Sequence, residues 1–183
     1  MKISLIIIFC ILILCVSTNE NEYVSSYNYL LANTKTEIQH FANEEGTKNI
    51  ELPIDIVVSR EIISLEAIFF ESKSNELIKW DTFKDVKNVK KFLFDLDSEN
   101  SFDSYISENE LVQNDVKSSN LIMFFSIKNK GLLLAELIWT KDHVDSNTNY
   151  NKVAMFGRSL RFLFEISETN EVKNVICIEV FHN

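Results

Sequence analysis

The chain has 183 residues and sets 27 Asp and Glu against 18 Lys and Arg, a formal net charge of −9. An acidic surface of this kind repels phosphate backbones and anionic lipid headgroups, which excludes nucleic acid and acidic membrane surfaces as expected partners. The length suits one domain. An apolar content of 46% with 14 Phe and 2 Trp suits a packed core, and 1 Pro with 3 Gly leaves no flexible linker.

In chain order, the first element is a leader. Met1-Lys2 carries a positive charge, residues 4–16 run without one, and small residues follow at Ser17 and Thr18 before the polar Asn19-Glu20-Asn21-Glu22. This is the three-part layout of a secretory signal peptide. The apolar run is shorter than the roughly 20 residues that a membrane span requires. The expected organisation is a signal peptide over 1–18 and a single α+β domain over 19–183. The domain is expected to be secreted to the extracellular space, with no membrane attachment after processing.

Lys2 is the only charged residue of the leader, so the remaining domain carries a net charge of −10. Cys10 and Cys15 belong to the leader, and Leu14 sits where a lipoprotein leader would need a small residue. Cys177 is then the one thiol of the domain, so an intrachain disulfide is excluded. Its apolar neighbours, Val175, Ile176 and Ile178, point to a buried inert thiol, with an intermolecular bridge as the alternative. No Asn-x-Ser/Thr acceptor for N-glycosylation occurs.

Residues 23–45 are predicted to be helical. Val24, Tyr27, Leu31, Ile38 and Phe41 recur on one face, Ser25 or Ser26 can cap the start, and Gly46 can end the helix. Ile54, Ile56 and Val58 alternate as on a strand, with Pro53 at its start or edge. Over 61–70 both periods fit, and a short helix running into a strand is expected. Residues 82–97 read as a helix opened by Thr82 and Asp85. Val86, Val89, Leu93 and Leu96 form its buried stripe, with Lys84, Lys87, Lys90 and Lys91 on the solvated side. The period then drops to two. A polar strand is predicted over 105–116, and another over 120–128 with Leu121, Met123, Phe125 and Ile127 on one face. Asn129-Lys130-Gly131 supplies a hairpin turn into a partner strand over 132–140. A polar loop over 141–152 leads to a strand over 153–166, with Phe156, Leu160, Phe162, Phe164 and Ile166 on one face. A turn at 168–170 precedes the last strand, 172–181. Helices followed by an antiparallel meander make an α+β fold. Its N-terminal helices are expected to pack on one face of a curved, cone-like antiparallel sheet.

Few residues carry chemistry. Asp95, Asp97, Glu99 and Asp103 resemble a calcium loop, but Asn100 replaces the turn Gly and Ile106 fills the place of the bidentate Glu, so no calcium is expected. His40, His143 and His182 are scattered without metal-ligand spacing, and neither a metal nor another cofactor is expected. Three isolated Gly exclude the nucleotide-binding fingerprints. Glu136 is conspicuous inside the apolar run 132–139. There it either faces solvent, pairs with a base, or enters a pocket where burial suits it to acid–base work. Arg158 is one of only three arginines, with Gly157 beside it as a candidate bulge. It either holds an anion or pairs with Glu136 from the neighbouring strand, while Arg161, three positions on, falls on the opposite face.

From about Ile62 to Ile166 the chain resembles the nuclear transport factor 2-like fold, most of all its small secreted nematode-type members. The resemblance is carried by residues 62–70, the lysine-bearing helix from Phe83 to Leu96, residues 121–127, Gly131, and Ala135-Glu136-Leu137. It implies a curved antiparallel sheet wrapped around a helix, forming a cone with a pocket. That family includes isomerases and dehydratases beside non-catalytic binding and dimerising members. The Asp/His pairs of its enzymes have no matching position here.

The functional expectation is a secreted, non-catalytic binding or interaction domain. Its partner is expected to be an unidentified protein or a small apolar ligand, held in a pocket lined by Phe125, Leu137 and Phe162 with Glu136 and Arg158 as polar contacts. The alternative is a small isomerase- or hydrolase-like enzyme using Glu136 with Arg158 or His143. A homodimer through the open sheet face is the further expectation.

Overall fold

A computed structural model describes residues 21–45, 55–64, 66–99, 104–105, 116–154 and 157–182. The expected leader, Pro53, most of the polar strand expected over 105–116, and Phe156 lie outside the described residues.

The first predicted helix is two. Helix α1 (Glu22–Asn33) starts at Asn21, whose side chain accepts from the Val24 amide at 2.9 Å. Thr34 then interrupts the chain with its hydroxyl bonded to the Leu30 carbonyl, and α2 (Lys35–Glu44) follows. The cap is thus Asn21 rather than Ser25 or Ser26, and Tyr23, Tyr27, Leu30, Ile38 and Phe41 form the buried face.

Strand β1 (Val57–Ile62) precedes a 3₁₀ helix (Ala67–Lys73), the reverse of the expected order for this stretch. The 3₁₀ start is capped from a distance: the two oxygens of Asp97 accept from the Ala67 amide at 2.6 Å and the Ile68 amide at 3.0 Å. The Asp97 carboxylate resembling a calcium ligand therefore holds a helix end. Short helix α3 (Ser74–Leu77) and a single 3₁₀ turn (Asp81–Phe83) lead to α4 (Val89–Glu99), which begins later than predicted because Asn88 provides the cap, accepting from the Lys91 amide at 2.9 Å. Val89, Leu93 and Leu96 are buried, and Lys84, Lys87, Lys90 and Lys91 are exposed, as their spacing predicts.

The sheet is completed by β2 (Ser104–Tyr105), β3 (Ser119–Phe125), β4 (Leu132–Val144), β5 (Arg158–Ile166) and β6 (Val172–Phe181), with α5 (Tyr150–Val153) between β4 and β5. The strand order is β2-β1-β3-β4-β5-β6. Strands β3 to β6 form the expected antiparallel meander, but β1 lies parallel to β3, so the curved sheet is mixed. A parallel neighbour requires a crossover, and the helical stretch between β1 and β3 belongs to it. The β3–β4 turn places Lys130 at φ 52° and Gly131 at φ 75°, the paired left-handed conformations of a tight hairpin.

Both faces of the sheet are covered, where the sequence suggests one. Leu121, Met123, Phe125, Leu137, Phe162 and Phe164 pack on α1 and α2. Ile122, Phe124, Leu134, Ile138 and Leu163 pack on the 3₁₀ helices, α3 and α4. Strands buried on two sides read as continuous apolar runs, which is why β3 and β4 show so little alternation. The face expected to pair two copies is therefore occupied. Among the described residues, no helix is long and apolar enough to cross a membrane.

Candidate functional site

The β4–β5 register decides the chemistry of the sheet interior. It sets Glu136 directly opposite Arg161, and both side chains enter the layer between the sheet and the 3₁₀–α4 side. Directly opposed residues of an antiparallel pair point to the same face. Because Glu136 opposes Arg161, residues of even number on β4 share a face with residues of odd number on β5. Arg158 lies on the far face, and the expected Glu136–Arg158 pair does not form.

Glu136 is fully buried, at 0% exposure. Four side chains donate to or meet its carboxylate. Arg161 Nη2 donates to Oε2 at 2.7 Å, and the Tyr150 hydroxyl donates to the same oxygen at 3.0 Å. On Oε1, His182 Nε2 lies at 2.7 Å, and the Ser159 hydroxyl makes a short hydrogen bond. Burial pushes the Glu136 carboxyl up, but His182, Arg161 and Ser159 together outweigh it and hold the group below the usual carboxylate range. Burial first, and then the neighbouring Glu136 charge, push the Tyr150 phenol well above its ordinary value. The site is thus a fixed carboxylate in a shell of donors.

Each donor is held in place by its own element. Tyr150 opens α5, where Glu61 of β1 accepts from the Tyr150 amide at 2.7 Å and from Asn149 Nδ2 at 3.2 Å, and its ring meets Phe124 edge-on at 5.2 Å. His182 follows β6 and is tied by its amide to the Gly157 carbonyl at 2.8 Å. The Arg161 guanidinium lies 4.9 Å from the centre of the Phe69 ring and donates from Nη1 to the Glu66 carbonyl at 3.3 Å. Its Nε–H is buried and, among the described residues, has no hydrogen-bond partner.

Ser159, His182 and Glu136 are the residue types of a nucleophilic triad, but their arrangement differs. In a triad the imidazole stands between hydroxyl and carboxylate and uses one ring nitrogen for each. Here His182 meets Ser159 at 3.0 Å and Glu136 at 2.7 Å through the same Nε2, while Ser159 bonds Glu136 directly. The three form a closed triangle, and Ser159 is fully buried within it. Such a cluster fixes geometry and charge and has no proton path from hydroxyl through imidazole to carboxylate.

Above the cluster a recess of about 370 Å³ opens to solvent, lined among others by Glu66, Phe69, Tyr150, Arg161, Phe181 and His182. Phe69 is 44% exposed, unusual for a ring of that size; the Phe181 ring opposes Arg158 across β5 and β6 and lies 5.6 Å from that guanidinium, on the far face.

The other residues singled out by sequence lie elsewhere. Arg158 reaches Glu44 at 2.7 Å, Glu45 at 3.3 Å and Glu179 in a short contact, tying α2 to β5 and β6. Gly157 precedes β5 and interrupts no pairing, so the expected bulge is absent there. Phe125, Leu137 and Phe162 have no exposed surface and belong to the core that packs against α1 and α2. His143 is exposed near the end of β4, and His40 sits beside Glu44 at 3.5 Å on α2. Among the described residues no group of His, Cys, Asp and Glu is placed to hold a metal ion. Tyr150, Ser159, Arg161 and His182 escaped sequence reasoning as partners of Glu136. Strand parity separates Arg158 from Arg161, but only the β4–β5 register assigns Arg161 to Glu136.

No protein-family model matches this chain, and neither a curated protein nor a solved structure matches it.

Proposed function

We propose that this chain is an extracellular, non-catalytic binding domain whose recognition surface is the recess above Glu136. The observation that carries this reading is the state of the Glu136 carboxylate. It is buried, held ionised and engaged by four side chains, so it braces Tyr150, Arg161 and His182, which line the recess, and has no lone pair left aimed at a substrate. The leader-like composition of residues 1–18 supports the extracellular address. The resemblance to small nuclear transport factor 2-like proteins supports a binding role. The recess lined by Phe69, Tyr150, Arg161 and His182 is where such a ligand would sit.

Chemical-shift mapping with a small-fragment library tests this. Hits are expected to perturb the amides of Phe69, Tyr150, Phe181 and His182. A library that perturbs no amide in the recess, or perturbs only residues packed under α1 and α2, refutes the reading.

A further inference from the structure

We propose that two copies of this chain pair antiparallel along the outer edge of β6, about a two-fold axis at Ile176, so that their sheets continue as one. This assembly goes beyond the binding-domain reading and does not depend on the recess.

The two edges of the sheet differ. One is β2, only 2 residues long. The other is β6, 10 residues from Val172 to Phe181, and among the described residues no strand pairs with its outer side. Natural sheets blunt a long edge with Pro, with a bulge or with charge. β6 has no Pro, its register shift lies at its very start, opposite Glu165 and Ile166, and residues 174–178 carry no charge. It is an edge built to be paired.

The β5–β6 register fixes which backbone groups face outward. The His182 amide donates to the Gly157 carbonyl at 2.8 Å, in step with the rest of the ladder. Hydrogen-bonded pairs alternate along an antiparallel ladder, so Asn174, Ile176, Ile178 and Val180 turn their amides towards β5. Val175, Cys177, Glu179 and Phe181 turn theirs to the open edge. Two antiparallel copies exchange backbone hydrogen bonds only where outward residues meet outward residues.

Among the registers this allows, charge selects one. With Ile176 opposite itself, Val175 of each copy meets Cys177 of the other, and Glu179 of each copy stands across from Lys173 of the other. Lys173 can answer, because its ion pair with Asp81 is exposed and long, at 3.6 Å. Glu179 can answer too, because it shares Arg158 with Glu44 and Glu45. Sliding one copy so that Cys177 faces itself loses both contacts and brings the two Glu179 side chains closer. Sliding the other way sets Glu179 against Glu171. Opposite charges across a strand pair attract and like charges repel, so both alternatives are disfavoured. A lysine at one end, a glutamate at the other and apolar residues between them make a self-complementary edge, which a two-fold contact requires. The occupant is therefore a second copy.

The test combines sedimentation with amide hydrogen exchange of the intact protein over a range of concentrations. A dimer is expected. The amides of Val175, Cys177 and Glu179 should exchange at least about tenfold more slowly as it forms, while those of Ile176 and Ile178 are protected throughout by β5. Val175→Pro removes an outward amide that the single copy does not use, and is expected to leave the protein monomeric. Lys173→Glu, at an exposed position, is expected to weaken association about tenfold, and adding Glu179→Lys to it should recover most of the loss. A protein that stays monomeric at every concentration overturns the proposal. So does a dimer whose Val175 and Cys177 amides exchange as fast as in the monomer, since the copies then meet elsewhere. A dimer indifferent to Lys173→Glu overturns the register.

Discussion

The interaction between Glu136 and Arg161 gives the sharpest test of how the sheet interior is built. The two charges face each other across β4 and β5 at 2.7 Å, both nearly devoid of solvent contact. Charges about 4 Å apart attract by about 4 kcal/mol at an effective dielectric near 20. The desolvation of both groups offsets much of this, so the pair as a whole adds little to stability. Breaking it is another matter. Glu136→Leu leaves the Arg161 guanidinium buried without its counter-ion and is expected to cost about 3–5 kcal/mol. Glu136→Gln keeps the volume, removes the charge, and is expected to cost about 2–4 kcal/mol by the same reasoning. Arg161→Met strands the carboxylate, but Ser159, Tyr150 and His182 still bond it, so its cost is expected at the lower end of that range.

The double variant Glu136→Leu/Arg161→Met removes both charges. It is expected to cost at least about 2 kcal/mol less than the sum of the two single changes, because neither leaves an orphan ion. Urea unfolding reads this directly. With a slope of about 2 kcal/mol/M, a 3 kcal/mol loss moves the midpoint by about 1.5 M. Single costs that simply add, within about 0.5 kcal/mol, would refute the claim that the two side chains form one buried unit.

Two further expectations follow from the same residues and from the lone thiol of the described structure. The Glu136 carboxyl lies below its ordinary value when folded, so its contribution is fully present above the unfolded carboxylate value near about 4.3 and drains away as pH falls through the lower folded value. The stability gap between the unmodified protein and Glu136→Gln should therefore narrow in acid, measured by urea midpoints from pH 7 down to pH 3, and a gap constant over that range contradicts it. For Cys177, burial chiefly, with the charge of Glu37 adding, pushes the thiol up to about 12. Since the thiolate is the reactive form, a disulfide-exchange reagent at pH 8 should leave Cys177 untouched in the native protein and modify it once urea unfolds the chain. Rapid native labelling would contradict this placement.

Much of the layout was legible in the chain. Apolar runs bounded by turn residues marked β3 through β6, the Asn129-Lys130-Gly131 turn was named by its residue types, and the stripe of Val89, Leu93 and Leu96 marked α4. These signals are local: a turn needs particular backbone angles, and an amphipathic face needs only its own spacing. The errors fell where local signals tie. Residues 61–70 fit both periods, and a cap from Asp97, some thirty residues away, resolved them as a 3₁₀ helix. A purely antiparallel sheet was expected because nothing local says that β1 pairs with β3 in parallel.

The sequence by itself determined that Glu136 stands out among apolar neighbours and that Arg158 and Arg161 point to opposite faces. Which arginine answers Glu136 was decided only by the register of two strands whose paired residues lie more than twenty positions apart in the chain. Likewise, Tyr150 and His182 reach the same carboxylate only because α5 and the end of β6 close over that part of the sheet. Spacing along a chain sets which way a side chain points, but a buried charge must be met by whatever the fold brings within hydrogen-bonding distance, and that is a property of the packed layers rather than of any one segment.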